Sequence, residues 1–166
     1  MHIVINKKLL NYGNYSAKCA LGKRGIGNKK KEGDFITPTG IFKIKCLLYR
    51  KDRIKSIKTK IIKKIIKRNM GWCDDPKSPH YNKLIQRPSN YSHEILHKRN
   101  NIYDLILVLD YNMNPVKKNK GSAIFVHVAK RSFRKTEGCI AVKKKDLLKI
   151  ISEIKRSTKV KIVNQK

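Results

Sequence analysis

Apolar residues along this chain fall into short runs, most of them alternating with polar or charged positions. Alternation with period two is the signature of half-buried strands. His2-Ile3-Val4-Ile5 and Leu9-Leu10 read as a strand and turn, broken at Asn11-Tyr12-Gly13-Asn14. Ser16 to Leu21 alternates well enough for a second strand. The stretch from Gly22 to Gly40 is rich in glycine and charge and predicts a long loop. From Ile41 to Tyr49, Phe42, Ile44 and Cys46 alternate with Lys43 and Lys45, a clear strand. Ile102 to Tyr111, IYDLILVLDY, is nearly continuous in apolar residues, which predicts a central strand covered on both faces. The turn after it leads to Ala123-Ile124-Phe125-Val126, expected to pair with it as a neighbour. Val160 to Val163 reads as a last strand.

Two segments carry a helical period instead. Between Lys143 and Lys155, Leu147, Leu148, Ile150, Ile151 and Ile154 share one face, a C-terminal helix. Between Arg50 and Arg68, Ile57, Ile61, Ile62, Ile65 and Ile66 also fit one helical face with lysines opposite. The residues alone leave that second pattern open between a helix covering the core and a basic amphipathic stretch lying on a membrane. No apolar window approaches the length of a membrane span. The balance is a mainly β, single-domain chain of 166 residues, with 40% hydrophobic residues and enough length for one core.

Charge changes the picture next. Lys and Arg number 41 against 11 Asp and Glu, a net charge of +30. A field of that size concentrates polyanions, either nucleic acid or an anionic envelope surface. The basic residues are spread over the whole chain, however, and Lys far outnumbers Arg. This supports non-specific phosphate attraction and no specific nucleic-acid partner. The cysteines, Cys19, Cys46, Cys73 and Cys139, form no C-x-x-C pair and have no zinc-knuckle spacing.

The chemistry gathers between Ser122 and Val142, SAIFVHVAKRSFRKTEGCIAV. His127 lies at the end of an apolar strand, and Thr136-Glu137-Gly138-Cys139 forms a turn before Ile140-Ala141-Val142. Gly138 permits a sharp bend just before the cysteine. A thiol on a tight turn and an imidazole at a strand end are the parts of a nucleophilic site in which the ring takes the thiol proton. Backbone N–H groups around Gly138 are the expected oxyanion donors. The bland alternative is a buried cysteine and a structural histidine.

This stretch resembles the catalytic domain of the L,D-transpeptidase (YkuD-like) family, in a small single-domain branch reading His-Val-Ala-Arg, then Thr-Glu-Gly-Cys-Val-Ala. The resemblance extends to Leu21-Gly22-Lys23-Arg24-Gly25-Ile26-Gly27, to Gly33-Asp34 with Thr37-Pro38-Thr39-Gly40, to Gly71-Trp72-Cys73-Asp74-Asp75-Pro76, to Ser92-His93-Glu94 and to Tyr103-Asp104-Leu105. It covers most of the chain, in order, and implies a single catalytic domain over residues 1–166 with an extended connection in place of a helix at 50–68. Better-known members read Ser/Thr-His-Gly-Cys with Arg or Asn shortly after the Cys. Here Glu137 stands in place of the second His, and Ala141-Val142 follow Ile140. The resemblance implies a β-sandwich-type fold with no cofactor. It implies a Cys139 nucleophile with His127 as base, and peptidoglycan stem peptides as substrates. The expected reaction cuts a tetrapeptide after its third residue and passes it to an amine, or to water in a carboxypeptidase-like variant. It also implies work in the periplasm or cell envelope. The N-terminal Met1-His2-Ile3-Val4-Ile5 instead reads as a strand and not as a secretory signal, which leaves the cytoplasm open.

Substrate-binding expectations follow from the same blocks, each beside a plain alternative. Arg24 is either a carboxylate clamp or a solvated arginine in a basic loop. Trp72 is either a wall of the cleft or a core anchor. His93 belongs to the matched Ser92-His93-Glu94 block. Glu137 orients His127, meets a cationic substrate group, or is a surface carboxylate. His93-Glu94-Ile95-Leu96-His97 also fits the zinc-peptidase pattern, which needs both histidines one helical turn apart. Pro88 and Asn100-Asn101 confine any such helix, and no third ligand follows at a family spacing, so no metal is expected.

Overall fold

The computed structural model describes residues 1–164. Its strands are β1 (Ile3–Asn6), β2 (Leu9–Tyr12), β3 (Tyr15–Ala20), β4 (Ile26–Gly27), β5 (Thr37–Pro38), β6 (Gly40–Tyr49), β7 (Lys63–Ile65), β8 (Met70–Cys73), β9 (Leu84–Gln86), β10 (His93–Ile95), β11 (Leu105–Leu109), β12 (Phe125–Val128), β13 (Ile140–Val142) and β14 (Lys159–Val163). The one helix among the described residues is α1 (Lys144–Glu153).

The main sheet runs β11-β12-β13-β3-β2-β1-β14-β6-β7, and β11 pairs again with β6. The sheet therefore closes on itself, leaving β7 attached beside the ring. Its inner side chains form the main core, including Ile3, Ile5, Leu10, Leu107, Val126 and Ile162. Each such aliphatic side chain contributes about 1.5–3 kcal/mol on full burial. From α1, Leu147, Ile150 and Ile151 enter the same core, joined by Ile154 just past the helix end. Their spacing places them on one stripe of the helix. Asp146 in the first turn accepts a hydrogen bond from Tyr15 Oη at 2.8 Å, tying the helix to β3.

β11 is covered on both faces, as its composition predicts. Leu105, Leu107 and Leu109 join the main core, whereas Ile106 and Val108 join a second cluster with Leu48, Trp72, Leu96, Tyr103 and Phe125. That second cluster is roofed by a separate three-stranded sheet, β10-β8-β9. β12 pairs antiparallel with β11, as expected for neighbours. A bulge lies where β6 meets β11: Val108 opposes Cys46 and Leu109 opposes Ile44, so Lys45 is the extra residue.

Several local expectations are corrected. Residues 50–68, left open by the sequence, form no helix: a turn at 51–53 leads into an irregular run and then β7. Ile54, Ile57 and Ile61 join the main core and Ile66 the second cluster, but Ile62 and Ile65 are exposed at 55% and 40%. The isoleucines anchor a chain that runs along the core, and Lys63–Ile65 adds a parallel strand to β6. Asn11 and Tyr12 lie within β2, so the break starts at Gly13. The long loop from Gly22 contains the short pairing of β4 with β5. Gly71–Cys73 lie in strand β8, and His93–Ile95, the start of the zinc-peptidase pattern, is strand β10.

Candidate active site

Strand alternation alone puts the two reactive side chains on one face. In β12, Val126 and Val128 point into the main core, so Phe125 and His127 point the other way. β13 runs parallel to β12 with His127 opposite Ala141 and Val126 opposite Ile140. Ile140 and Val142 fill the main core. Cys139, two residues before Ala141, packs with the second cluster and so lies on the His127 side. Both residues line one cleft of about 500 Å³.

The turn before the cysteine is held from several directions. Gly138 has φ +141°, and a Cβ there would sit 3.0 Å from the Ile36 carbonyl oxygen. Only glycine fits such a position without strain. Thr136 Oγ1 donates to the Cys139 carbonyl at 2.5 Å and accepts from the Gly138 N–H at 3.2 Å. Thr136 is bonded through its backbone to Leu21 and Lys23. The Ile36 carbonyl is placed by Asp34, whose carboxylate accepts from the Ile36 N–H at 3.1 Å and from buried Lys29 at 2.6 Å. Burial would raise the Asp34 pKa, but Lys29 and the surrounding N–H groups hold it at about 2.

His127 Nδ1 lies 3.0 Å from the Val128 carbonyl oxygen. A carbonyl only accepts, so Nδ1 carries the proton and Nε2 of the neutral ring is an acceptor. Burial pulls the His127 pKa down to about 4. Burial likewise pushes the Cys139 thiol up to about 12. The thiol donates to the Ala123 carbonyl oxygen at 3.0 Å. At neutral pH the resting pair is therefore an uncharged thiol and an uncharged imidazole.

Tyr103 completes the inner wall. Its ring meets His127 edge-on at 5.4 Å, and its hydroxyl donates to Glu94 at 3.2 Å. Lys98 bridges to Glu94 at 2.5 Å and lies over the Tyr103 ring. The loop between β12 and β13 contributes Lys130, Arg134 and Lys135 to the rim, and Lys23 joins them. Asp74, just after β8, and Glu94 of β10 supply carboxylates to the same cleft. The cleft thus offers both signs of charge around the thiol.

The expected site residues divide cleanly. His127, Gly138, Cys139 and Glu137 line the cleft. Trp72, Arg24 and His93 do not. Trp72 is buried, packs edge-on against Phe125 at 5.2 Å and donates its indole N–H to Asn82, so it is a core anchor. Arg24 is exposed, and its neighbour Lys23 reaches the cleft instead. His93 has both ring nitrogens occupied, Nδ1 against the Tyr91 carbonyl and Nε2 accepting from Arg87. It sits on a strand, so His93 and His97 lack the helical turn that the zinc pattern needs. Among the described residues no group of three or more His, Cys, Asp or Glu is placed to hold a metal ion. Tyr103 and Lys98 were missed as site residues. The signal available for Tyr103 was its place just ahead of β11, the strand paired with β12.

A family model described as the L,D-transpeptidase catalytic domain, YkuD, matches residues 1–162. No curated protein matches the chain.

Proposed function

The chain belongs to the YkuD family of L,D-transpeptidase catalytic domains, and from that premise we propose that it is a peptidoglycan L,D-transpeptidase working through a Cys139 thioester. The observation that carries this reading is the shared face of His127 and Cys139 in one cleft, with Nδ1 committed to the Val128 carbonyl and Nε2 left as acceptor.

In the first half-reaction the sulfur attacks the carbonyl that joins the third residue of a tetrapeptide stem to its terminal D-Ala. The thiol proton moves to His127 Nε2 as the S–C bond forms. Backbone N–H groups at Gly138 and Cys139 receive the oxyanion, the Gly138 N–H turning from Thr136 to do so. Collapse breaks the C–N bond, His127 returns the proton to the departing D-Ala amine, and a thioester remains. In the second half-reaction an acceptor amine attacks the thioester, gives a proton to His127, and the thiol is restored. Water in place of the amine would give a shortened free stem, the carboxypeptidase-like outcome of the same residues. Because the resting pair is uncharged, proton transfer accompanies attack and does not precede it.

The test is intact-mass spectrometry after incubation with a tetrapeptide stem and, separately, a carbapenem. The expected result is one covalent adduct per chain on Cys139, absent in Cys139→Ala. An adduct on Cys46 instead, or none in a folded protein, would refute the assignment.

A further inference from the structure

Lysines far apart in the sequence gather on the uncovered outer face of β6, β14 and β7. In β6 the inner side chains Phe42 and Ile44 leave Ile41 and Lys43 facing out, with Ile41 56% exposed. In β14 Val160 and Ile162 fill the core, so Lys159 and Lys161 face out. The antiparallel register sets Lys159 directly opposite Lys43, and Lys161 opposite Ile41. Lys45, the bulged residue, and Lys64 of β7 both lie near enough to Cys46 to bear on its thiol. None of these five lysines makes a salt bridge among the described residues. Asp110 stands at the margin, where its Oδ1 accepts from the Lys43 backbone N–H at 2.8 Å.

Like charges on directly opposed strand positions destabilise a sheet. The Lys43–Lys159 pair is therefore a cost to the fold that a bound anion would relieve. Neighbouring strands are about 4.8 Å apart and alternate residues along a strand about 7 Å, so the ammonium groups form a two-dimensional array suited to closely spaced phosphates. The face carries no arginine and no outward aromatic ring among the lysine positions, so it offers bases nothing to stack on.

We propose that this face docks a linear polymer of phosphate groups without aromatic bases. β14 lies three strands from β12 by way of β6 and β11, so a polymer held there leaves the cleft open. The proposal does not depend on the acylation chemistry, and neither does its test.

The experiment is fluorescence anisotropy of end-labelled long-chain inorganic polyphosphate with the intact protein over a range of salt. The variant Lys43→Gln/Lys159→Gln/Lys161→Gln is compared with Lys55→Gln/Lys77→Gln/Lys83→Gln, which removes equal charge from exposed positions elsewhere. The face variant should bind about tenfold more weakly, with the slope of log K against log salt shallower by about 2. The control should stay within about twofold, since it loses no phosphate contact. Thermal melting establishes that both variants fold, and Lys43→Gln alone should melt higher than the parent. Equal weakening of both triple variants would mean bulk charge only and overturn the proposal. Tighter binding to a single-stranded oligonucleotide of equal charge, or to vesicles of anionic lipid, would overturn it as well.

Discussion

The Cys139 thiol is hydrogen-bonded to the carbonyl of Ala123 at 3.0 Å, and Ala123 itself adopts a left-handed backbone with φ +50°. A strained residue thus presents the acceptor that parks the thiol proton in the resting cleft. Substrate must draw the sulfur from that carbonyl towards its own, with His127 taking the proton.

The pH profile of acylation follows. With His127 depressed to about 4 by burial, the base remains unprotonated well below the usual imidazole range. The acidic limb of the acylation rate should fall near pH 4, measured by stopped-flow or quenched mass spectrometry. A limb near 6.5 would show the ring to be solvated. The thiol, raised to about 12, should react slowly with iodoacetamide at pH 8.

His127 also links stability to pH. Its folded pKa lies below its unfolded value, so between these pKa values the unfolded chain binds more protons than the folded one. Stability is full above about pH 6.5 and is lost as pH falls towards 4, by about 3 kcal/mol from this ring. Urea melts of the parent and of His127→Gln across that window should diverge, the variant showing the shallower fall.

Gly138→Ala should retain the fold yet lose acylation. The new methyl group meets the Ile36 carbonyl oxygen at 3.0 Å and sits at φ +141°. Displacement of the sulfur by about 1 Å is enough for a loss on the order of a hundredfold. Mass spectrometry gives the rate and melting gives the fold.

Asp104 is 1% exposed and holds Arg53 at 2.8 Å and Lys144 at 3.0 Å. It joins the connection after β6, the start of β11 and the first turn of α1. Asp104→Ala removes the buried carboxylate but leaves two partly exposed cations that water can solvate, and should cost about 2 kcal/mol in chemical denaturation.

Arg24→Ala and Trp72→Ala separate recognition from packing. Arg24 lies outside the cleft, so its loss should leave acylation within about twofold, in line with a surface substitution. Trp72→Ala should destabilise by about 3–5 kcal/mol, because the indole fills the cluster under Phe125.

Much of this was legible in the sequence because it is carried by local alternation. The double coverage of β11, the pairing of β11 with β12, the bend at Gly138 and the apolar stripe of α1 each follow from spacing within a few residues. The segment 50–68 was not legible, since isoleucines at irregular intervals satisfy a helical face and an extended anchor equally well. Which of them point inwards is decided by β6, beside which residues 63–65 lie. The roles of Trp72 and Arg24 escaped for a related reason. Whether a loop side chain reaches a cleft depends on the roof built by β8, β9 and β10, and no short-range pattern encodes that roof.

β14 is seated between β1 and β6. During synthesis the other seven strands of the ring can leave the ribosome with this gap still unfilled, exposing the edges of β1 and β6 to other chains. Residues 159–163 act as the final stave, so the interval before their emergence is when a nascent chain most needs a chaperone to shield it.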